Sequence, residues 1–238
     1  MQTHFLFDVL DGYKPFEQMA QESQNSGAVI AASGMAGGDG AKMRSYVKAG
    51  KTICGDELGQ VIAQVLEMGE NNACMKCIVA APTAGSCGVM PAVLLPYQKR
   101  MGLSDEEMVR ALYIAGAIGQ AVATKASIAG AAGGCQYEIG TASAMAAAAL
   151  CYLGGGDAEA ICHAAALAIK SLLGLVCDPI AGLVEVPCIK RNASGAMVAM
   201  CCADMALAGI RSAVPPDEVI MAMKDVGDKM DVSLRETG

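Results

Sequence analysis

The sequence IGTASAMAAAALCYLGGG, residues 139–156, carries no charge and consists mainly of alanine and glycine. An uncharged stretch of this length raises the question of a membrane span. Alanine and glycine gain little on transfer into lipid, however, and the stretch contains the polar residues Thr141 and Ser143. We therefore interpret it as a helix buried inside a globular protein, and we expect no membrane association.

Helical patterns continue on both sides of this stretch. From Asp56 the apolar residues follow the period of an amphipathic helix as far as Gly69. Ser104 and Glu107 have the spacing of a capping box, which predicts a helix from there to about Ala126. Further helices are predicted at about Ala142–Leu153, Ala158–Leu173, Ala193–Ser212 and Asp217–Met230.

Strand-like alternation of apolar and polar residues is almost absent from the chain. We therefore predict an all-α fold, a single globular domain over residues 1–238 built from closely packed Ala- and Gly-rich helices. The polar and Gly-rich residues 1–52 are expected to form the N-terminal part of this same domain. A ligand site is expected on the irregular loops between the helices.

Composition narrows the class of protein. The net charge of −7, without a basic cluster, argues against a nucleic-acid partner. The eleven cysteines are odd in number and irregularly spaced, and the N-terminal sequence lacks the pattern of a secretory signal. Reduced thiols in the cytoplasm therefore fit better than a disulfide framework, and we expect a cytoplasmic protein.

Three cysteines differ from the others in their surroundings. Cys135, Cys177 and Cys188 lie in the Gly-, Pro- and polar-rich segments AAGGCQYE, LVCDPIAG and EVPCIKRNASG. Three thiolates are one fewer than the four that usually hold a cubane iron–sulfur cluster, so one iron would stay open as a Lewis acid. Their wide spacing is not that of a local metal knuckle, and the pattern alone leaves three buried thiols as an equal alternative.

The other cysteines and the two histidines have less distinctive settings. Cys87, in the polar TAGSCG segment, is the best rival ligand and otherwise lines the site. Neither His4, expected on the surface, nor His163, expected in the core, is a convincing general base. Packing roles are predicted for the remaining cysteines, which are Cys54, Cys74, Cys77, Cys151, Cys162, Cys201 and Cys202.

Two glycine-rich segments are candidates for binding an anionic group such as a carboxylate. The first precedes a predicted helix N-terminus, where free N–H groups favour an anion, and a plain tight turn is the alternative. Its candidate residues are Thr83, Gly85, Ser86 and Gly88. The second could form a nest of backbone N–H groups, with Ser33, Gly34, Gly37, Gly38 and Asp39.

Three residues that follow Cys188 are also candidates. Asn192 either caps a helix or reaches the bound ligand. Lys190 and Arg191 either neutralise an anionic cluster or substrate, or belong to a solvated surface.

Four long segments resemble the alpha chain of bacterial iron–sulfur L-serine dehydratase. They are SGMAGGDGAKM, APTAGSCGVMP, AGAAGGCQYEIGTASAMAAAA and CDPIAGLVEVPCIKRN, and the likeness extends from about Ser33 to Glu236. The resemblance implies that residues 1–238 form a serine dehydratase alpha-type, cluster-binding domain. It also implies that Cys135, Cys177 and Cys188 hold a [4Fe-4S] cluster.

The activity implied by this resemblance is deamination of L-serine to pyruvate and ammonia, by elimination of the 3-hydroxyl at the open iron. It requires no PLP, and a Ser-x-Lys-x-Arg-Gly-like lysine segment is indeed missing from the sequence. The chain lacks the family's beta region and ends at LRETG, where relatives continue. We therefore expect a separate beta chain as partner, an oligomer, and a general base possibly supplied by that partner.

Two other functions stay open. A related cysteine desulfidase or threonine dehydratase would use the same site on another substrate. A non-catalytic iron–sulfur or metal-binding subunit would instead be expected to hold a fully ligated cluster.

Overall fold

The computed structural model describes residues 29–236 together with Gln18 and Gln21, so His4 and most of residues 1–28 lie outside the described part. Within that part the fold is all-α, as predicted, with two isolated β-bridges and no longer strand. Nine α-helices are described: α1 (Asp39–Lys48), α2 (Gly55–Ala73), α3 (Val89–Met101), α4 (Asp105–Lys125), α5 (Gly130–Gly133), α6 (Thr141–Leu153), α7 (Ala158–Ser171), α8 (Glu185–Leu207) and α9 (Pro216–Lys229).

Helix α6 is the centre of the fold, and every residue from Thr141 to Cys151 is buried. Helices α3, α4, α7 and α8 pack around it. Its alanines carry a single methyl group each, which lets neighbouring helix backbones come close on all sides. The uncharged stretch that opened the sequence is thus a core helix. No helix in the part of the chain that the structure describes combines the length and the hydropathy needed to cross a bilayer.

Local signals in the sequence set several helix ends correctly. The Ser104 hydroxyl accepts a hydrogen bond from the N–H of Glu107 at 3.3 Å, and the Glu107 carboxylate accepts one from the N–H of Ser104 at 2.8 Å. This is the predicted capping box, and α4 follows it to Lys125. Asp157 caps α7 by accepting from the N–H of Ala160 at 2.8 Å.

Helix α8 begins at Glu185, well before the predicted start at Ala193. Pro187 is its third residue, where the missing N–H has no helical partner to lose. The segment therefore begins a helix instead of extending the irregular loop. Asn192 consequently lies inside α8 and is not its cap, and Cys188 is the fourth residue of the helix.

Two further helices continue past a residue type that often ends a helix. Helix α2 continues past Gly69 to Ala73. A side chain at position 69 would approach the Ile189 side chain at 3.1 Å, so glycine allows α2 and α8 to pack closely. Helix α3 contains Pro96 and continues past it to Met101.

At Gly195, helix α8 comes close to the start of α6 and to the turn that precedes it. A Cβ atom there would lie 2.7 Å from Ile139 Cγ2 and 2.8 Å from Ser143 Oγ, both in buried side chains. These distances leave no room for a methyl group unless the core shifts.

We predict that Gly195→Ala lowers the free energy of unfolding by about 1–3 kcal/mol because it overpacks this contact. The matched control is Gly116→Ala on exposed α4 surface, where no atom lies within 4 Å of an added Cβ. That change should be neutral or stabilising by up to about 1 kcal/mol, since alanine is the better helix former. Urea denaturation of both variants measures the difference, and equal losses would contradict the packing argument.

Candidate metal centre and adjoining cavity

The three predicted ligand cysteines come together in the fold. The Sγ atoms of Cys135, Cys177 and Cys188 all lie within 4.8 Å of one another, and all three residues are buried. Cys177 lies on the irregular stretch after α7, as predicted, whereas Cys135 and Cys188 lie at the beginnings of helical segments. No other such group of three ligating residues occurs within the described ranges.

Cys135 reaches this position through an unusual backbone. Gly134 has a positive φ of 76°, and a Cβ atom there would lie 2.9 Å from the carbonyl oxygen of Leu175. The residues after Cys135 form one turn of π-helix, Gln136–Gly140, before α6 begins. Such turns occur frequently at functional sites because they redirect side chains.

The three thiols ionise unequally. The pKa of Cys135 is lowered to about 7, because the Cys188 thiol donates a hydrogen bond to it at 3.9 Å and because Arg191 lies nearby. Burial, together with the charge of the Cys135 thiolate, raises the pKa of Cys177 to about 12. The Cys135 thiolate raises the pKa of Cys188 as well. A metal ion bound between them would supply the positive charge that removes the remaining protons.

Arg191 places a positive charge beside the cysteine group. Its Nη1 lies 3.6 Å from Cys135 Sγ, donates to the Val176 carbonyl at 2.9 Å and pairs with Asp178 at 2.5 Å. The sequence left open whether Arg191 neutralises an anionic group or belongs to a solvated surface. Its position beside Cys135 supports the first interpretation. Lys190 instead pairs with Asp39 at 2.8 Å.

A small cavity opens beside Cys188. It lies between the end of α2, the TAGSCG turn and the start of α8. The residues that line it are Gly69, Asn72, Ala73, Gly85, Cys87, Val184, Glu185, Cys188, Ile189 and Asn192. The cavity therefore adjoins the cysteine group directly, through a residue that the two share.

The buried side chain of Asn192 holds one wall of this cavity in place. Its Nδ2 donates to the carbonyls of Gly85 at 2.7 Å and Cys188 at 2.8 Å, and its Oδ1 accepts from the N–H of Gly88 at 3.0 Å. Asn192 thus ties the TAGSCG turn to α8. Because the N–H of Gly88 already donates to Asn192, it is not available to a bound anion.

Thr83 and Ser86 bond to each other within their turn. The Thr83 N–H and hydroxyl both lie within hydrogen-bond distance of Ser86 Oγ, at 3.4 and 3.2 Å. Among the predicted substrate residues, Gly85 and Asn192 line the cavity, and Thr83, Ser86 and Gly88 support the turn that carries Gly85.

The second glycine-rich segment lies at the rim of the same cavity. Ser33 Oγ donates to Glu185 Oε2 at 2.6 Å, which joins this segment to the first residue of α8. The N–H groups of Asp39 and Gly40, which begin α1, both donate to Glu70 Oε1. The protein's own carboxylate therefore occupies the end of the predicted nest.

The glycines of this segment shape its backbone. Gly34, Gly37 and Gly38 all have positive φ angles, and a Cβ atom at Gly37 would overlap the carbonyl oxygen of Val29. Ser33 is the residue of this segment whose side chain bonds to the cavity wall.

Comparison with known proteins identifies the family of this chain. The family model for the serine dehydratase alpha chain matches residues 8–238. The chain belongs to the serine dehydratase alpha chain family. Within it, the probable L-serine dehydratase alpha chain of Bacillus subtilis (strain 168) is 50% identical over 88% of this chain and 70% of its own length.

Two other L-serine dehydratases are matched over a smaller share of their own length. The L-serine dehydratase alpha chain of Peptoniphilus asaccharolyticus is 50% identical over 81% of this chain and 66% of its own. The L-serine dehydratase TdcG of Escherichia coli (strain K12) is 45% identical over 72% of this chain, but the match spans only 38% of that protein. Much of the longer relative thus has no counterpart in this chain.

Glu138, in the GGCQYE segment, is a site residue that sequence reasoning missed. It is only 6% exposed, and one carboxylate oxygen accepts a hydrogen bond from the Thr83 hydroxyl at 2.8 Å. Burial raises the pKa of Glu138, the Thr83 bond lowers it, and nearby Glu236 raises it. A glutamate inside an uncharged, glycine-rich motif was the available signal.

The remaining cysteines are mostly outside the site. Cys87 is buried, its thiol donates to the Met68 carbonyl at 3.7 Å, and burial raises its pKa to about 12. Cys151 and Cys202 are buried, as expected for packing roles. The packing prediction is wrong for the exposed cysteines, which are Cys54, Cys77, Cys162 and Cys201.

His163 is largely enclosed by the protein. Its Nδ1 accepts a hydrogen bond from the N–H of Ser212 at 3.2 Å. This agrees with the predicted structural role rather than a role in the site.

We predict that Asn192→Ala lowers the free energy of unfolding by about 2–4 kcal/mol, because it leaves the Gly88 N–H and the Gly85 carbonyl without their partner. The control is Ser194→Ala, on the exposed face of the same helix. That change should stay within about 0.5 kcal/mol of the wild type. Chemical denaturation followed by circular dichroism tests both, and a neutral Asn192→Ala would contradict the assigned role.

Proposed function

We propose that this chain is the alpha chain of an enzyme that deaminates L-serine to pyruvate and ammonia without PLP. The observation that carries the proposal is the convergence of three buried thiols within 4.8 Å, beside a cavity, in a chain of this family. The relatives named above are L-serine dehydratases, which supports L-serine as the substrate.

The cysteine group suits an iron–sulfur cluster in its chemistry. Thiolates are the protein ligands of [4Fe-4S] clusters, and the apolar side chains packed on the group are Ile139, Leu172, Leu175 and Val184. Cys135, Cys177 and Cys188 would hold the cluster, and Arg191 would offset its negative charge. When bound by three cysteines, such a cluster supplies an iron without a protein ligand, which can act as a Lewis acid toward the 3-hydroxyl of L-serine.

The protein's own residues would position the substrate. Asn192 fixes the TAGSCG turn, so that the Gly85 backbone forms a rigid wall opposite the start of α8. Ser33 at the rim and Gly85 in the wall are the predicted binding residues nearest the cavity. The proposed set also includes Thr83, Ser86, Gly88, Gly34, Gly37, Gly38 and Asn192, through the backbone and turns that they shape.

We infer that the catalytic unit includes a partner beta chain, in an oligomer located in the cytoplasm. The match covers only 38% of the Escherichia coli relative, which leaves room in that protein for the missing part of the site. We assign the general base to that partner, because Nδ1 of His163 already accepts a hydrogen bond from the N–H of Ser212. All eleven cysteines are free thiols, in keeping with a reducing compartment.

We predict that the full chain, reconstituted anaerobically with iron and sulfide, binds a cluster that absorbs broadly in the visible range. Single changes of Cys135, Cys177 or Cys188 to Ser should abolish most of this absorbance and of the bound iron, since each removes one of three ligands. Cys162→Ser and Cys201→Ser, at exposed positions, are the matched controls and should keep it.

Iron, sulfide and zinc analysis of the same samples distinguishes the rival metal-binding function. One metal ion per chain without sulfide would indicate a mononuclear site held by the same thiols. Colour that survives all three serine variants would contradict the ligand assignment.

We predict that the cluster-loaded chain, combined with its cognate beta chain, converts L-serine to equal amounts of pyruvate and ammonia. Hydroxylamine treatment that removes PLP should leave the rate unchanged. Cys135→Ser, which removes a cluster ligand, should lower the rate at least about 100-fold, because it removes the electrophile that activates the leaving group.

Parallel assays with L-cysteine and L-threonine test the alternative substrates. Release of sulfide from cysteine, or of 2-oxobutanoate from threonine, at rates above that for serine would favour the corresponding rival enzyme. No product from any of the three would favour the non-catalytic subunit.

A further inference from the structure

The carboxylate of Glu138 has one satisfied and one free oxygen. Oε1 accepts from the Thr83 hydroxyl at 2.8 Å, and no described residue donates a hydrogen bond to Oε2. No lysine, arginine or histidine of residues 29–236 forms an ion pair with Glu138. A buried carboxylate without a cation is costly, so such groups are found where a ligand completes the pairing.

Glycines surround the free oxygen. A Cβ atom at Gly85 would lie 2.7 Å from Glu138 Oε2, and one at Gly130 would lie 3.0 Å from it. The absence of side chains at these two positions is what leaves room for the carboxylate. Gly85 also lines the cavity beside Cys188, so the Glu138 carboxylate, which is not itself among the lining residues, lies against the backbone of that wall.

The electrostatic environment of this region is negative. Glu236 approaches the same glycine, with its Oε2 2.9 Å from a Cβ atom at Gly130. The pKa of Cys87 is raised mainly by burial, and the negative charge of Glu138 raises it further. A cationic group entering the cavity would therefore be stabilised.

We propose that Glu138 binds the α-ammonium group of the amino-acid substrate through its free carboxylate oxygen. This inference rests on the proposed function and deepens it, because it names the residue that selects amino acids over the corresponding hydroxy acids and deaminated acids. The Thr83 hydroxyl holds the carboxylate in orientation, and the ammonium group supplies the positive charge that the fold omits. Charge-assisted hydrogen bonds of this kind are the strong ones.

The test compares two ligands on the cluster-loaded full chain, by anaerobic calorimetry. L-Serine and 3-hydroxypropanoate share the carboxylate and the 3-hydroxyl, and only L-serine has the ammonium group. The wild type should bind L-serine about 10- to 100-fold more tightly, the range expected for a hydrogen bond to a charged group. Glu138→Gln should reduce this preference to about threefold or less, mainly through weaker binding of L-serine.

Several controls accompany the variant. Iron content, visible absorbance and circular dichroism show whether Glu138→Gln folds and holds the cluster. Glu138→Asp, which keeps the charge on a shorter side chain, should retain part of the preference and serves if the glutamine variant does not fold. Glu218→Gln, at an exposed position on α9, should leave both affinities unchanged.

The outcomes separate this inference from the proposed function. A wild type that does not bind L-serine at all overturns this inference, whereas the turnover assay with the cognate beta chain decides the proposed function. If the wild type prefers L-serine and Glu138→Gln keeps that preference, the proposed function stands and the role of Glu138 is wrong. Unchanged affinity combined with a fall in turnover would make Glu138 a proton-transfer group instead. Loss of the preference in Glu185→Gln alone would assign the ammonium group to Glu185, the carboxylate that lines the cavity.

Discussion

The close approach of α8 to the segment leading into α6, at Gly195, is the constraint on which the rest of the structure depends. A glycine facing Ile139 and Ser143 allows the two backbones to come nearer than any side chain would permit. Cys135 precedes one of these segments and Cys188 lies near the start of the other, so the same contact that closes the core also draws two of the thiols to 3.9 Å. The packing of small residues therefore also positions two of the three thiols of the site.

A second layer of polar contacts converts this packing into a defined site. The amide oxygen and nitrogen of Asn192 both form hydrogen bonds with the turn that carries Gly85. Arg191, the preceding residue of the same helix, contacts Cys135 and the Val176 carbonyl. Successive residues of a helix point about 100° apart, which is why one reaches the cavity wall while its neighbour reaches the thiols. The first turns of α8 thus support the cavity and the cysteine group together.

Much of the fold was predictable, because helix periodicity, the Ser104 capping box and the uncharged stretch at 139–156 are all local signals. The three cysteines were also identifiable from their glycine- and proline-rich surroundings. The start of α8 was not, since a proline breaks or begins a helix depending on its position, and only the fold decides which. Glu138 escaped notice because burial and the absence of a cation are properties of the folded chain. The exposure of Cys54 and Cys162 could not be predicted for the same reason. Apolar neighbours in the sequence do not determine whether a side chain faces the core or the solvent.

The hydrogen bond between Ser33 and Glu185 joins positions 152 residues apart. Because Glu185 also lines the cavity, a substitution in the Ser33 segment can alter the position of a cavity-lining side chain that lies far from it in sequence. The two segments are therefore energetically coupled neighbours, and substitutions in one are expected to change the effect of substitutions in the other.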